Sequence, residues 1–523
     1  MANSHSSYIT ENLLSAGGFL LLQSEKYRIV RRYVAKNARF LRKFKIFDKK
    51  CERRVSFSCK FGFFFVSLWR FLIVTYGKIR NSHIKTHINA KSMKRKIMEE
   101  LCRWRMKEGR MPLVLNGARQ VGKTYILEEF GNKFYSNTIY FNLEADMRAR
   151  RVFEEDLNPQ SIILQLESIA SQRILPGETL LILDEIQASE RALTSLKSFC
   201  EQAPKYHVCA AGSMLGVAVH RENYSFPVGK VDELQLFPLD FEEFLWAMSK
   251  QLLAEQIRKH TAENAQMPAA LHEEALALWR QYLVVGGMPA VVAEYIKINS
   301  IVRIADIQQR ILNEYVADMA KYALPATSVK IRACYNSIPA QLAKENHKFQ
   351  YKVVQRGGSA TIFGESIEWL NCAGLVLKCQ GVENALIPLA AYMELGDFKL
   401  YMSDIGLLTM KSGMPSSLLL SPTPIDNTFM GAITENYVAQ ALAARQIPLY
   451  YWRNSNTAEL DFLWQKDAEI LPIEVKKGLR TRAKSMNQFR LTYHPNLAIR
   501  ISQKNFGLED GIRSIPVYAV FCM

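Results

Sequence analysis

Acidic side chains are scarce at the start of this 523-residue chain: residues 1–92 hold 4 Asp/Glu against 19 Lys/Arg. Beyond them the imbalance vanishes, with 48 basic and 46 acidic side chains in the remaining 431 residues. The net charge of +17 therefore belongs to the N-terminal segment. The body has no broad cationic signature of the kind that phosphate binding usually leaves, although a local basic groove stays open. Long hydrophobic runs are lacking too. The apolar stretch from Phe61 to Tyr76 is short for a membrane span of about 20 residues, and Arg70 interrupts it. It also lies too deep in the chain for a signal peptide. Nine cysteines show no CxxC pair and no regular spacing, which argues against a disulfide framework or a zinc site and for a reducing cytoplasm. Cys209 and Cys372 lie in apolar segments and read as small core residues.

Residues 1–92 are thus expected to be an extension that does not fold with the body, with Met93 reading as a natural start; a cationic membrane-surface helix is the alternative. A hydrophobic content of 49% against 22% charged residues is ordinary for globular domains, and the length suggests about three of them.

Pro112-Leu-Val-Leu-Asn116 reads as a short buried strand. Gly117-Ala118-Arg119-Gln120-Val121-Gly122-Lys123-Thr124 follows, and Tyr125-Ile-Leu-Glu-Glu-Phe continues as a helix. This is G-x-x-x-x-G-K-[ST] in its strand–loop–helix context. Its glycines let the loop wrap so that backbone N–H groups and the helix N-terminus face phosphates. Lys123 is placed to neutralise phosphate oxygens, and the Thr124 hydroxyl to bind Mg²⁺.

Thr179-Leu-Leu-Ile-Leu-Asp184-Glu185 supplies a second group at the carboxyl end of an apolar strand, where parallel α/β sheets place ligands. Asp184 is expected to hold Mg²⁺ through water, and Glu185 to polarise the attacking water. Thr138-Ile-Tyr-Phe-Asn142 adds a strand between the two motifs. With the adjacent glutamate it points to ATP-hydrolysing P-loop proteins of the additional-strand, catalytic-glutamate (ASCE) type. The next strand ends on Ser213, placed to sense the γ-phosphate, and Val231-Asp-Glu-Leu-Gln-Leu-Phe closes a five-stranded parallel sheet. Spacing alone assigns no arginine that acts across subunits. Arg119 reads as a packing or ribose-side residue; Arg221 and Lys230 are candidates, with a solvated surface cation as their alternative.

Together Asn116-Gly-Ala-Arg-Gln-Val-Gly-Lys-Thr, Leu183-Asp-Glu-Ile-Gln187, Ala211-Gly-Ser-Met-Leu-Gly, Phe226-Pro-Val-Gly229, Leu239-Asp-Phe-Glu-Glu-Phe-Leu245 and Gly286-Gly-Met-Pro289 resemble a prokaryotic AAA-type P-loop ATPase family. Its members carry a C-terminal domain of unknown function. The resemblance runs from about Met93 to the end and implies ATP binding.

After an ATPase core at 93–240, residues 241–300 have a helical amphipathic pattern broken at Gly286-Gly-Met-Pro289, which suggests a lid. Helices within 301–395, ending with Thr361-Ile-Phe-Gly-Glu365 to Ala373, precede a strand at Gly374-Leu-Val-Leu-Lys-Cys and suggest a winged helix. Lys344, Lys348, Lys352 and Arg356 before that helix would suit DNA phosphates, but Glu365 and Glu368 on it would repel them; protein docking is the equal alternative.

In 396–523, Asp397 to Met410 matches the same family's linker. A helix bearing Glu435 then precedes a hairpin, Thr457-Ala-Glu-Leu-Asp461-Phe-Leu-Trp and Ile470-Leu-Pro-Ile-Glu474-Val-Lys476. Period-two alternation puts Glu474 and Lys476 on one face. The order is similar to a restriction-endonuclease-like D…(D/E)-x-K arrangement, which implies Mg²⁺ on Asp461, Glu474 and Glu435, with Lys476 orienting water. Two readings stand: an ATP-dependent enzyme acting on nucleic acid, or an ATP-regulated switch or docking protein with an inert C-terminal domain. A homo-oligomer is compatible with either, and a membrane partner is not expected.

Overall fold

The computed structural model describes residues 93–213, 226–344, 347–422, 428–454, 458–478 and 484–523. The expectations for residues 1–92 and for Arg221 lie outside these segments.

The N-terminal sheet is built from β1 (Leu113–Asn116), β2 (Asn137–Asn142), β3 (Thr179–Asp184), β4 (His207–Gly212) and β5 (Asp232–Gln235), in spatial order β2-β3-β4-β1-β5. All neighbours pair in parallel. β3 and β4 are buried along their whole length, as strands covered by helices on both faces must be. Alternation divides their side chains. Leu113, Leu115, Leu180, Ile182, Cys209 and Ala211 join the large core that continues into the C-terminal half. Val114, Leu181, Leu183, Val208 and Ala210 face Phe153, Ile162, Leu166, Leu196 and Phe199.

Helices Phe241–Ala247, Gln251–Glu263, Ala269–Val285 and Pro289–Ile298 follow the sheet. The first opens with a capping box, Asp240 and Glu243 each accepting the other's backbone N–H. The Gly286-Gly287 turn between the last two leaves no room for side chains. A Cβ on Gly287 would lie 2.0 Å from the Leu239 carbonyl oxygen, and one on Gly286 2.4 Å from Asp404 Oδ1. Asp404 accepts the Gly287 N–H at 2.6 Å, so two segments that stand out in the sequence dock on one another. Burial pushes the Asp404 carboxyl up to about 6, against its backbone hydrogen bonds.

The long helix Ile301–Tyr322 comes next, then Pro325–Leu342 and Ala360–Cys372. The strand expected as a wing, β6 (Val376–Val382), pairs antiparallel with β7 (Met393–Met402) and in parallel with β8 (Tyr450–Asn454). It therefore belongs to an eight-stranded mixed sheet with β9 (Ala458–Lys466), β10 (Glu469–Val475), β11 (Ala498–Ser502), β12 (Gly507–Glu509) and β13 (Ile512–Pro516), ordered β12-β13-β11-β10-β9-β8-β6-β7. The 395/396 division drawn from sequence falls inside β7. Helix Thr428–Ala444 packs on β6, β7 and β10. Among the described residues no helix is long and apolar enough to cross a membrane.

Candidate functional site

The loop 117–122 leaves the carboxyl end of β1 and enters helix Lys123–Phe134. Its backbone needs unusual angles: Gly117 has φ +152 and Gly122 φ +96, and Gln120 also adopts the left-handed region at φ 66. Gly117 cannot be larger, because a Cβ there would lie 2.4 Å from the Leu236 carbonyl oxygen. Arg95 braces the loop from beneath, donating to the Val121 carbonyl at 3.0 Å. Ala118, Val121 and Lys123 are buried.

Lys123 Nζ donates to the carbonyls of Gly117 and Ala118 at 2.8 and 2.9 Å. Burial pushes its ammonium down to about 8 against the pull of Glu185 and Asp184. Thr124 Oγ1 donates to Asp184 Oδ2 at 2.6 Å, which joins two motifs sixty residues apart. The Tyr140 hydroxyl donates to the same oxygen at 2.9 Å. Glu185, in the left-handed region at φ 51, accepts from Gln187 at 2.5 Å, and the Ser213 hydroxyl lies 3.5 Å from Glu185 Oε2. Every candidate residue of the phosphate loop, together with Asp184, Glu185 and Ser213, thus meets at the carboxyl ends of β1, β3 and β4. A hydroxyl beside a buried carboxylate is a donor set that suits Mg²⁺.

Residues with no local signal complete this region. Tyr140 comes from the inserted strand. From helix Ile301–Tyr322, Asp318 pairs with Arg119 Nη1, Glu314 accepts from Gln120, and the Tyr315 hydroxyl donates to the Arg119 carbonyl at 3.1 Å. Lys230 lies elsewhere, in a surface ion pair with Glu201 at 2.9 Å.

The C-terminal candidates form a second charged cluster. Lys476 Nζ lies 2.9 Å from Glu474 Oε1, the shared face read from the sequence. Asp461 Oδ2 accepts the Val475 N–H at 2.7 Å. Glu435, however, is engaged by two cations that the sequence did not suggest: Lys399 Nζ at 2.9 Å and His347 Nδ1 at 2.7 Å, with the Tyr401 hydroxyl also donating to it. Lys399 also meets Glu459 at 2.7 Å and is wholly buried. Burial alone would raise the Glu435 carboxyl, yet Lys399 and His347 hold it well below the usual carboxylate range. Burial and Glu435 push Asp461 up to about 7, against Lys399.

Glu474 Oε2 is buried without a hydrogen-bond partner, 3.9 Å from Arg500 Nε. Still, among the described residues no three His, Cys, Asp or Glu side chains are placed to hold a metal ion. The carboxylates of the D…(D/E)-x-K resemblance are each engaged within the chain instead, Glu435 by Lys399 and His347, Glu474 by Lys476 and Asp461 by the Val475 N–H. Of the four cations before helix Ala360–Cys372, Lys348 pairs with Asp397 at 3.0 Å, while Lys344, Lys352 and Arg356 are exposed.

Three family models match separate segments of the chain. Residues 109–245 match an AAA domain family, residues 276–418 a domain of unknown function (DUF8612), and residues 430–520 another (DUF4143). No curated protein matches the chain. Among solved structures, a Walker-type ATPase of Pyrococcus abyssi is similar at 13% identity, covering 62% of this chain and 97% of its own, with a TM-score of 0.38. The Aeropyrum pernix ORC1 protein, solved in complex with DNA, matches at 14% identity over 63% of this chain and 93% of its own, with a TM-score of 0.26. The RuvB Holliday junction branch migration motor of Thermotoga maritima matches at 12% identity over 57% and 91%, with a TM-score of 0.27. Residues 109–245, which hold the phosphate loop and the acidic strand end, thus match the AAA domain family, on a chain whose two further matched segments fall in families without an assigned function.

Proposed function

We propose that this chain is a cytoplasmic ATPase that binds ATP with Mg²⁺ at Gly117–Thr124 and hydrolyses it, using the nucleotide state to switch the packed body while the C-terminal domain serves as a docking scaffold. The observation that carries the catalytic part is the hydrogen bond from Thr124 to Asp184, since it brings the phosphate loop and the acidic strand end to one point. The loop's backbone N–H groups and the Lys123 ammonium hold the phosphates. Thr124 and Asp184 would hold Mg²⁺, which would supply positive charge against the phosphates. Glu185 orients the attacking water and takes its proton, and Ser213, within reach of Glu185, reports on the γ-phosphate.

The scaffold part rests on Lys399. A buried ammonium between Glu435 and Glu459 gives those carboxylates a fixed internal counter-charge, which suits a stable polar core. Metal-dependent cleavage of nucleic acid by Asp461, Glu474 and Lys476 is the competing activity, and one experiment separates the two. Full-length protein is incubated with plasmid and single-stranded DNA in Mg²⁺ or Mn²⁺, with and without ATP, beside Asp461→Ala. Phosphate release without DNA cleavage supports the switch; cleavage lost in Asp461→Ala overturns its scaffold part.

A further inference from the structure

We propose that Arg119, a residue of the phosphate loop itself, supplies the positive charge at the γ-phosphate from within the same chain, and that Asp318 on helix Ile301–Tyr322 positions it. This rests on the reading of the site as an ATP-hydrolysing one.

Three observations lead there. The first is where Arg119 stands. It lies on the loop between Gly117 and Lys123, with its side chain 38% exposed at the loop mouth, while the Asp318 carboxylate that it meets is only 6% exposed. A buried carboxylate pinned on a helix is a fixed anchor. It takes one donor, Nη1, of a guanidinium that has five, so the planar fork can keep Asp318 and still present N–H groups to phosphate oxygens.

The second is that the loop is stapled to that helix at successive residues. The Tyr315 hydroxyl holds the Arg119 carbonyl, and Glu314 holds the Gln120 amide. Glu314 and Asp318, four apart, share one helical face. Behind the loop, Gly374 lies so close that a Cβ on it would be 3.3 Å from the Ala118 nitrogen. The backbone that carries Arg119 is therefore held in place, as a charge-stabilising group requires.

The third is electrostatic company. Burial works against the charge of both cations, while Asp318 and then Glu185 hold the Arg119 guanidinium charged, and Glu185 attracts Lys123, which feels Arg119 as a like charge. Guanidinium, ammonium and the water-activating carboxylate form one group. Carried on the same loop as Lys123 and partly exposed at its mouth, Arg119 is thereby assigned to the γ-phosphate rather than to the ribose.

In the step that results, the water oxygen bonds to the γ-phosphorus as the bond from that phosphorus to the β–γ bridging oxygen breaks. The electron pair stays on the bridging oxygen of the leaving ADP, and the water proton passes to Glu185 and then to solvent. Arg119 gains and loses nothing; its N–H groups stabilise charge on the γ-oxygens. A cation carried by the loop needs no neighbouring subunit to deliver it.

The test measures phosphate release and binding of a fluorescent ATP analogue by the full-length wild type, Arg119→Ala, Arg119→Lys, Asp318→Asn and Glu185→Gln. Turnover by Arg119→Ala is expected to fall about 10³-fold, at the lower end for a charge-stabilising arginine, while analogue affinity moves less than about threefold. Arg119→Lys keeps the charge and the fold but lacks the fork, so its turnover is expected to fall about tenfold. Asp318→Asn is expected to lower kcat while leaving affinity unchanged, a split that a purely structural role would not give. A mixture of Arg119→Ala and Glu185→Gln is expected to stay inactive. Recovery in that mixture would place the arginine's action across subunits and overturn the proposal. Wild-type turnover in Arg119→Ala or Arg119→Lys, or losses confined to affinity, would overturn it while leaving the ATPase reading intact. A wild type that binds the analogue without releasing phosphate would overturn both.

Discussion

Replacing Lys399 with methionine removes a cation that the fold buries completely, and the consequence follows from the partners left behind. Lys399 is 2.9 Å from Glu435 and 2.7 Å from Glu459. The Glu459 side chain is 24% exposed and can be hydrated, whereas that of Glu435 is 6% exposed and cannot. The loss therefore falls on Glu435, which keeps His347 and the Tyr401 hydroxyl as partners. Breaking one side of a buried pair costs about 3–5 kcal/mol. Retained His347 and the hydrated Glu459 put the expected loss near the lower end, about 3 kcal/mol.

The pH dependence has a definite sign. In the wild type the Glu435 carboxyl is held below its ordinary range, so its contribution is present above the unfolded value of about 4.3 and lost as pH falls. Without Lys399, burial raises the carboxyl, and ionising it costs stability as pH rises. The gap between wild type and Lys399→Met in urea unfolding should be widest at pH 7 and narrow toward pH 5. Adding Glu435→Gln to Lys399→Met should recover about 1–3 kcal/mol. A loss below about 1 kcal/mol at pH 7, set against that expected for breaking a buried pair, or a gap that widens in acid, would refute the assignment of Lys399 as the cluster's counter-charge.

Two further outcomes test the nucleotide site. Because the Lys123 ammonium is pushed down to about 8 by burial, its charge is present below pH 8 and lost above it. ATP affinity measured by analogue fluorescence should weaken by about fivefold between pH 8 and pH 9, as the charged fraction falls from about one half to about one eleventh; a flat profile would contradict this. In Gly117→Ala the new Cβ would collide with the Leu236 carbonyl at 2.4 Å, so ATP binding should be lost, with a stability cost of about 1–3 kcal/mol from the displaced backbone. Unchanged affinity would show that the loop does not need that close approach.

The parts legible in the sequence are those encoded by neighbours in the chain. The strands flanking the phosphate loop are short apolar runs, and Gly117 to Thr124 and Asp184-Glu185 each fit within a single turn, so motif and strand end could be read directly. The hairpin alternation likewise put Glu474 and Lys476 on one face, as their 2.9 Å contact reports. What escaped is non-local. Asp318 meets Arg119 across 199 positions, and nothing in the Ile301–Tyr322 pattern marks one acidic residue among its polar positions as a loop partner. Lys399 sits mid-strand, where a lysine normally faces water, and only the pairing of Glu435 and Glu459 from elsewhere accounts for its burial. His347 reaches Glu435 across 88 positions. β6 looked like a wing because its partner β8 lies some seventy residues on, as in Gln380 with Tyr450. A sequence pattern gives the face a strand presents, but it does not name the sheet that the strand joins.

The most direct test is phosphate release from ATP by the full-length protein, beside Glu185→Gln and Lys123→Ala. The expected result is turnover by the wild type, a fall of about 10²–10⁴-fold in Glu185→Gln with analogue binding retained, and loss of binding in Lys123→Ala. A wild type that binds ATP without releasing phosphate, or a Glu185→Gln variant as fast as the wild type, would contradict the assignment of this site as a working ATPase with Glu185 as its base.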